Sequence, residues 1–379
     1  MQNTQQLLFA DCEHEENPRY LSQQLITYIG NKRSLLSHID KAVVNVKKRL
    51  GKKRLRVLDA FAGSGVVSRF FKRHASSLIS NDLEAFSAVA ARCFLRNASE
   101  IDMSRLKEIV NDLNRAVEHI GATPGFLEEL YAPRDENNIA PGERVFYTRD
   151  NARRLDHYRQ LLDDVEPEWR ELILGPLLSE ASVHANTSGV FKGFHKDRST
   201  GVGKFGGSNG DALLRIRGQI TAEIPILSRF DSEVEVHQRD ANALVKQVRG
   251  LDLVYFDPPY NQHPYGSNYF MLNLLVDYKR PESVSNVSGI PTDWQRSDYN
   301  VRSRCLRRLA DLVQNVDAPY VLVSFNDEGF ISPSEMRAML QAVGNLEIIE
   351  IPYNTFRGSR NLSGRSIHVT EQLFLVERR

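Results

Sequence analysis

The sequence predicts an α/β fold: a doubly wound, mostly parallel sheet with a mainly helical insertion. Three observations carry that prediction. Two strand-then-helix units follow each other directly near the start of the chain, strand signals then lapse for about 130 residues, and they resume as short apolar runs separated by helical stretches.

After a polar leader, the stretch from Leu25 to Leu50 reads as an extended piece, a glycine turn at Gly30 and an amphipathic helix. Leu55 to Leu58 is a compact strand that runs into the turn Asp59-Ala60-Phe61-Ala62-Gly63-Ser64-Gly65, with a helix from about Val66 to Arg73. A second strand, Ser77 to Ser80, ends at Asn81-Asp82-Leu83-Glu84 and gives way to an alanine-rich helix through Asn97. Residues 98–231 show helical periodicity broken by polar loops, one of them, Asn186 to Gly207, rich in glycine and positive charge. Strands return at Ser232 to His237, Leu251 to Phe256, Tyr320 to Phe325 and Leu346 to Ile351, and Gln372 to Val376 reads as part of an antiparallel edge hairpin. The expected organisation is one catalytic domain in two parts, 1–97 and 232–379, split by an inserted recognition domain at 98–231.

Composition sets the class. With 379 residues, 41% apolar and 26% charged, the chain has ordinary globular usage and can bury a substantial core. There is no apolar run of about 18 residues to span a bilayer, and the first twenty residues lack the basic start and apolar stretch of a signal peptide. A cytoplasmic protein without membrane contact is expected. Cys12, Cys93 and Cys305 are odd in number and far apart, which fits reduced thiols. The histidines His184, His195 and His263 lack ligand spacing, so no metal is expected. The net charge of +1 is uninformative, but basic residues cluster at Lys47 to Arg56, at Lys192 to Lys204, and at Arg302, Arg304, Arg307 and Arg308.

The motif with the sharpest chemistry is Asp257-Pro258-Pro259-Tyr260, placed directly after the apolar strand Leu253 to Phe256. Two prolines fix φ and forbid continuation as strand or helix, so an acid, a carbonyl and an aromatic ring are held on a rigid lip. Such a lip suits methylation of an aromatic amine. The amine is a poor nucleophile because its lone pair is delocalised into the ring. A carboxylate (Asp257) and a carbonyl (Pro258), each accepting one amine hydrogen, favour rehybridisation and aim the nitrogen. Tyr260 would stack on a base turned out of its duplex.

The turn from Asp59 to Gly65 lies between the first strand and the first helix, where glycines let backbone approach a ligand closely. It lacks the Gly-Lys-Ser/Thr of a phosphate loop and the full Gly-x-Gly-x-x-Gly spacing, which points to a small adenosyl ligand with a carboxylate-bearing tail. Asp82 or Glu84, at the end of the second strand, can accept hydrogen bonds from ribose hydroxyls. Asp240, after the strand at Val234 to His237, either binds the ligand's adenine amine, caps the helix that follows, or does both.

In this order the residues resemble the DNA adenine N6-methyltransferases related to the bacterial DNA adenine methylase. The resemblance rests on Tyr28-Ile29-Gly30-Asn31-Lys32-Arg33, the Asp59 to Gly65 turn, Asn81-Asp82, Asp240, Asp257 to Tyr260, and Tyr265-Gly266-Ser267-Asn268-Tyr269 with Leu272-Asn273. It implies a Rossmann-like methyltransferase that uses S-adenosylmethionine as cofactor and double-stranded DNA as substrate. By similarity, Tyr28, Gly30 and Lys32 contact the methionine portion, with Lys32 pairing its carboxylate. Asp59, Phe61, Gly63, Gly65, Asp82 and Asp240 complete the cofactor cleft. Asn31 stands where the family more often has a small residue. The segment at Asn268 and Tyr269 would flank the target base. In the inserted loop, Lys192, His195, Lys196, Arg198 and Lys204 would touch DNA. A monomer is expected, paired with a restriction endonuclease or acting alone. Asp rather than Ser at the head of the lip disfavours cytosine N4 as target, and Asp rather than Asn disfavours protein glutamine. RNA adenine and a catalytically silent DNA-binding protein are the alternatives.

Overall fold

The computed structural model describes residues 15–119, 123–207, 210, 212–326, 329–354 and 368–379. Cys12 lies outside the described residues, while Cys93 and Cys305 are buried free thiols. Seven strands form one sheet: β1 (Leu55–Asp59), β2 (Ala75–Asp82), β3 (Glu233–Gln238), β4 (Leu253–Phe256), β5 (Tyr320–Asn326), β6 (Gly344–Asn354) and β7 (His368–Arg378). Their order is β3-β2-β1-β4-β5-β7-β6. The first five are parallel neighbours, and β7 runs antiparallel to both β5 and β6. The strand order turns between β1 and β4, where the two chain directions of winding part and open a crevice at the carboxyl ends.

The central strand Leu253–Phe256 is buried along its whole length, because helices cover the sheet on each side. One face carries the helices Leu36–Leu50 and Val66–Phe71, around Ile39, Val43, Phe70 and Phe71. The other carries Ala241–Val245, Arg302–Asn315 and Pro333–Gln341, around Leu244, Leu309, Leu312 and Met336. The last strand forms the expected antiparallel edge hairpin, with β6. Gln372 to Val376 belongs to β7, which is wedged between β5 and β6, so β6 forms the edge. A paired interior strand satisfies both rows of its backbone groups, and its apolar Leu373, Phe374, Leu375 and Val376 are all buried.

Residues 98–231 enter between β2 and β3, which pair directly from Ser77↔Glu233 to Asp82↔Gln238 despite the intervening chain. Among the described residues this stretch holds helices, Met103–Glu118, Phe126–Tyr131, Arg149–Leu161, Pro167–Val183 and Leu213–Arg217, and no named strand. It does not keep its core to itself. Leu106, Leu127, Tyr158 and Leu177 pack in one apolar cluster with Phe86, Val89 and Phe94 of helix Ala85–Phe94 and with Phe270 and Leu272 of helix Phe270–Asp277. Gly175 permits the closest approach, since a Cβ there would stand 2.5 Å from the Cβ of Cys93.

Candidate active site

A cleft opens at the carboxyl ends of β1, β2, β3 and β4, the place where ligands sit in doubly wound sheets. The chain leaves β1 through Ala60, whose N–H donates to the Tyr255 carbonyl of β4 at 3.1 Å. It then turns at Gly63 and Gly65, whose φ values of 53° and 76° are in the left-handed region that favours glycine. At Gly63 the need is double, because a Cβ would lie 2.9 Å from the Tyr28 ring. The Gly63 N–H donates to Asp82 Oδ2 at 2.7 Å, and the Glu84 N–H donates to Oδ1 at 2.9 Å. Both Asp82 oxygens therefore brace the turn.

Tyr28 stacks against two near-parallel rings, Tyr265 and Tyr269, each with its centroid 4.9 Å away, and these two stand 6.1 Å from each other. The Ile29 N–H donates to the Tyr269 hydroxyl at 2.8 Å, and the Tyr265 hydroxyl donates to the Ile29 carbonyl at 3.2 Å. The extended piece near the N-terminus is thus clamped against the segment that follows the lip.

Asp257 emerges directly from β4 into the cleft. Lys32 Nζ lies 3.4 Å from Asp257 Oδ1, 3.3 Å from Glu371 Oε2, and 5.4 Å from the centre of the Tyr260 ring. Burial pushes the Asp257 carboxyl up to about 7, with Lys32 pulling down and Glu371 pushing up. For Lys32, burial works against the charge, but Asp257 and Glu371 outweigh it and hold the ammonium charged. Glu84 is pushed up to about 7 by burial and by Asp82, while Asn273 Nδ2 donates to its Oε2 at 2.6 Å.

Of the residues singled out from sequence, Tyr28, Gly30, Lys32, Phe61, Gly63, Asp82, Asp240 and Asp257 line the cleft together. Asp240 caps helix Ala241–Val245 through the Ala243 N–H at 3.0 Å, and Arg308 donates to its other oxygen. Pro258 is buried behind the lip, and Tyr260 is half-buried beside it, edge-on to Phe325. Gly65 ends the turn without lining the cleft.

Three expectations need correction. Asp59 is fully buried behind the turn, where Ser68 Oγ donates to its Oδ2 at 2.6 Å, and burial pushes it up to about 7; it supports the turn from below. Lys32 is committed to two carboxylates of the chain itself, so it is not a free partner for a ligand carboxylate. Asn268 and Tyr269 are 2% and 0% exposed and present no surface to a duplex. The Asn268 carbonyl accepts the Phe191 N–H at 2.7 Å, and Tyr269 stacks on Tyr28 and Tyr265.

The basic loop at 186–207 is tied to the segment after the lip by the bond from the Phe191 N–H to the Asn268 carbonyl. Buried Asn186 organises it, donating to the Val145 and Lys204 carbonyls at 2.8 and 2.9 Å and accepting the Gly206 N–H. Lys196 and Gly203 form an antiparallel bridge. Lys192, Lys196 and Arg198 are exposed, His195 and Lys204 half-buried. Burial and then the Lys192 ammonium push the His263 imidazole, three residues past the lip, down. The other two basic clusters are largely consumed by structure. Arg49 pairs with Glu347 and Glu377, Lys52 with Asp252, Arg304 with Asp298 and Arg308 with Asp240.

Sequence reasoning missed Glu371, Tyr299 and the role of Tyr265. Tyr265 stood in a recognised segment, and its spacing of four from Tyr269 was the available signal. Tyr299, buried edge-on to Phe61, and Glu371, on β7, carried no local signal.

A turn-and-acid cleft at the switch point of such a sheet, with an Asp-Pro-Pro-Tyr lip facing it, defines a Rossmann-like methyltransferase. A model of the D12 class N6 adenine-specific DNA methyltransferases matches residues 28–339. The chain belongs to that family and is a site-specific DNA methyltransferase. It is similar to the type II methyltransferase M.NlaIII of Neisseria lactamica, 25% identical over 93% of this chain and 99% of that protein. It is also similar to the type II methyltransferase M.CviAII of Paramecium bursaria Chlorella virus 1, 28% identical over 93% and 98%. The modification methylase StsI of Streptococcus sanguinis is 29% identical over 93% of this chain, which spans about half, 52%, of that protein.

Proposed function

We propose that this protein transfers the methyl group of S-adenosylmethionine to the N6 amine of an adenine turned out of double-stranded DNA, at a short sequence read by the region 98–231. The observation that carries the reading is Asp257 standing in the same cleft as the Gly63 turn and the acids Asp82, Glu84 and Asp240. When bound, the cofactor supplies an electrophilic methyl group on a positively charged sulfur, which keeps the electron pair of the broken S–C bond. Asp257 and the Pro258 carbonyl accept the two amine hydrogens, and Asp257 takes the proton the amine sheds as the N–C bond forms. Tyr260 stacks on the base.

The cleft fits the cofactor with two changes of role. Asp82 already receives two backbone N–H groups, so Glu84, with one oxygen held by Asn273, is the better acceptor for ribose hydroxyls. Lys32 serves Asp257 rather than the methionine carboxylate. The exposed Lys192, Lys196 and Arg198 contact DNA phosphates. We expect a cytoplasmic monomer that protects DNA against a paired endonuclease.

Transfer of tritium from labelled S-adenosylmethionine to unmethylated DNA, and separately to RNA, tests this. Label recovered as N6-methyladenine in DNA, and absent with Asp257→Asn, supports the reading. Transfer to RNA alone, or none despite cofactor binding, overturns it.

A further inference from the structure

We propose that Glu371 is a positioning residue for methyl transfer: it holds the Lys32 ammonium against Asp257 and supplies the surplus negative charge that a sulfonium donor requires. The inference rests on the function proposed above. Glu371 lies outside residues 28–339, the stretch matched by the family model, and comes from the strand wedged between β5 and β6, opposite Asn326 and Ile351.

The geometry is a single cation between two carboxylates. Lys32 Nζ reaches Glu371 at 3.3 and 3.5 Å and Asp257 at 3.4 Å, and the side chains of Lys32 and Glu371 are 3% and 8% exposed. A Lys32–Asp257 pair alone would be neutral. When Asp257 is ionised, the group with Glu371 carries one negative charge in excess (+1 − 1 − 1 = −1) in a largely buried place, where Asp257 at 18% is the most exposed member, an arrangement that is costly until another cation arrives. A sulfonium is that cation, and the thioether left after transfer is not. The triad therefore favours the charged donor over the neutral product and promotes exchange after each turnover. Because Lys32 also sits over the Tyr260 ring, its position governs both the acid and the aromatic of the lip.

The test compares wild type with Glu371→Gln, which keeps the shape and removes the charge. Affinities for S-adenosylmethionine and for S-adenosylhomocysteine are measured by calorimetry, and kcat is measured against pH. The preference for the sulfonium over the thioether should fall by roughly tenfold, the scale of losing one unit charge at close range. The acid limb of kcat should move, because Glu371 both adds to the upward push of burial on Asp257 and holds against it the Lys32 ammonium that lowers it. Should Glu371→Gln fail to fold, Glu371→Asp retracts the carboxylate by one methylene and should move the limb in the same direction by less. An unchanged preference together with an unmoved limb overturns the proposal and leaves Glu371 a packing residue. Wild type that neither binds the sulfonium nor methylates DNA instead overturns the functional reading itself.

Discussion

The cleft and the basic loop both depend on charge, but they hold it differently. In the cleft, Lys32 is 3% exposed and meets two carboxylates within 3.5 Å. On the loop, Lys192, Lys196 and Arg198 are exposed, and Lys192 and Arg198 have no ion pair among the described residues. Buried charges interact strongly with one another because little water screens them, so each has a defined partner and a defined position. Exposed charges are individually weak, and they act on a polyanion by number and by release of counterions. The backbone around the loop is nevertheless specific: Asn186 at its root and the Phe191 N–H to Asn268 carbonyl bond hold it to the segment that follows the lip. Under the proposed function, a rigid root under exposed charges would let one region meet DNA while the other aligns the reacting atoms.

That contrast can be broken most sharply at Asp257. Asp257→Asn should lower kcat by roughly 10²–10³-fold, the usual loss for one preorganised electrostatic group, with cofactor affinity little changed in equilibrium titration. Gly63→Ala should be next. The strained φ and the approach to Tyr28 together should cost about 1–3 kcal/mol in thermal melting, whereas Gly51→Ala, with φ 64° and nothing within 4 Å, meets no such collision and should cost less. A smaller effect comes from pH. Asp257 acts as a carboxylate and is pushed up to about 7 by burial, so kcat should rise about tenfold per unit below that value and level off above it; a flat profile from pH 5 to 8 would refute the assignment. The loop should show the smallest single effects. Lys192→Gln, Lys196→Gln and Arg198→Gln should each weaken DNA binding a few-fold, leave kcat intact, and reduce the slope of log affinity against log salt by about one. Equal slopes in wild type and triple variant would move the DNA face elsewhere.

Legibility in the sequence follows the range of the interactions. The turn at Gly63 and Gly65, the lip at Asp257 to Tyr260 and the acids at Asp82 and Asp240 were readable because each is a local consequence of strand, turn and helix-start chemistry, with the ligand side set by the end of a strand. Asn268 and Tyr269 misled for the opposite reason. Their residue types suit contact with bases, yet burial against Phe191 and Tyr28 is a property of packing.

What the sequence by itself determined was the parallel α/β class, the long insertion between β2 and β3, and the pairing of a glycine turn with a catalytic lip, since apolar period, glycine and proline act over a few residues. What only the tertiary structure decided was the company each charge keeps. Lys32, Asp257 and Glu371 stand more than a hundred residues apart in sequence, and they meet because β7 enters the sheet beside β5 and not at its edge. The fusion of the insertion's core with the helices Ala85–Phe94 and Phe270–Asp277 is of the same kind. No local pattern encodes which distant surface a buried side chain will find, because that choice is made by the sum of packing over the whole core.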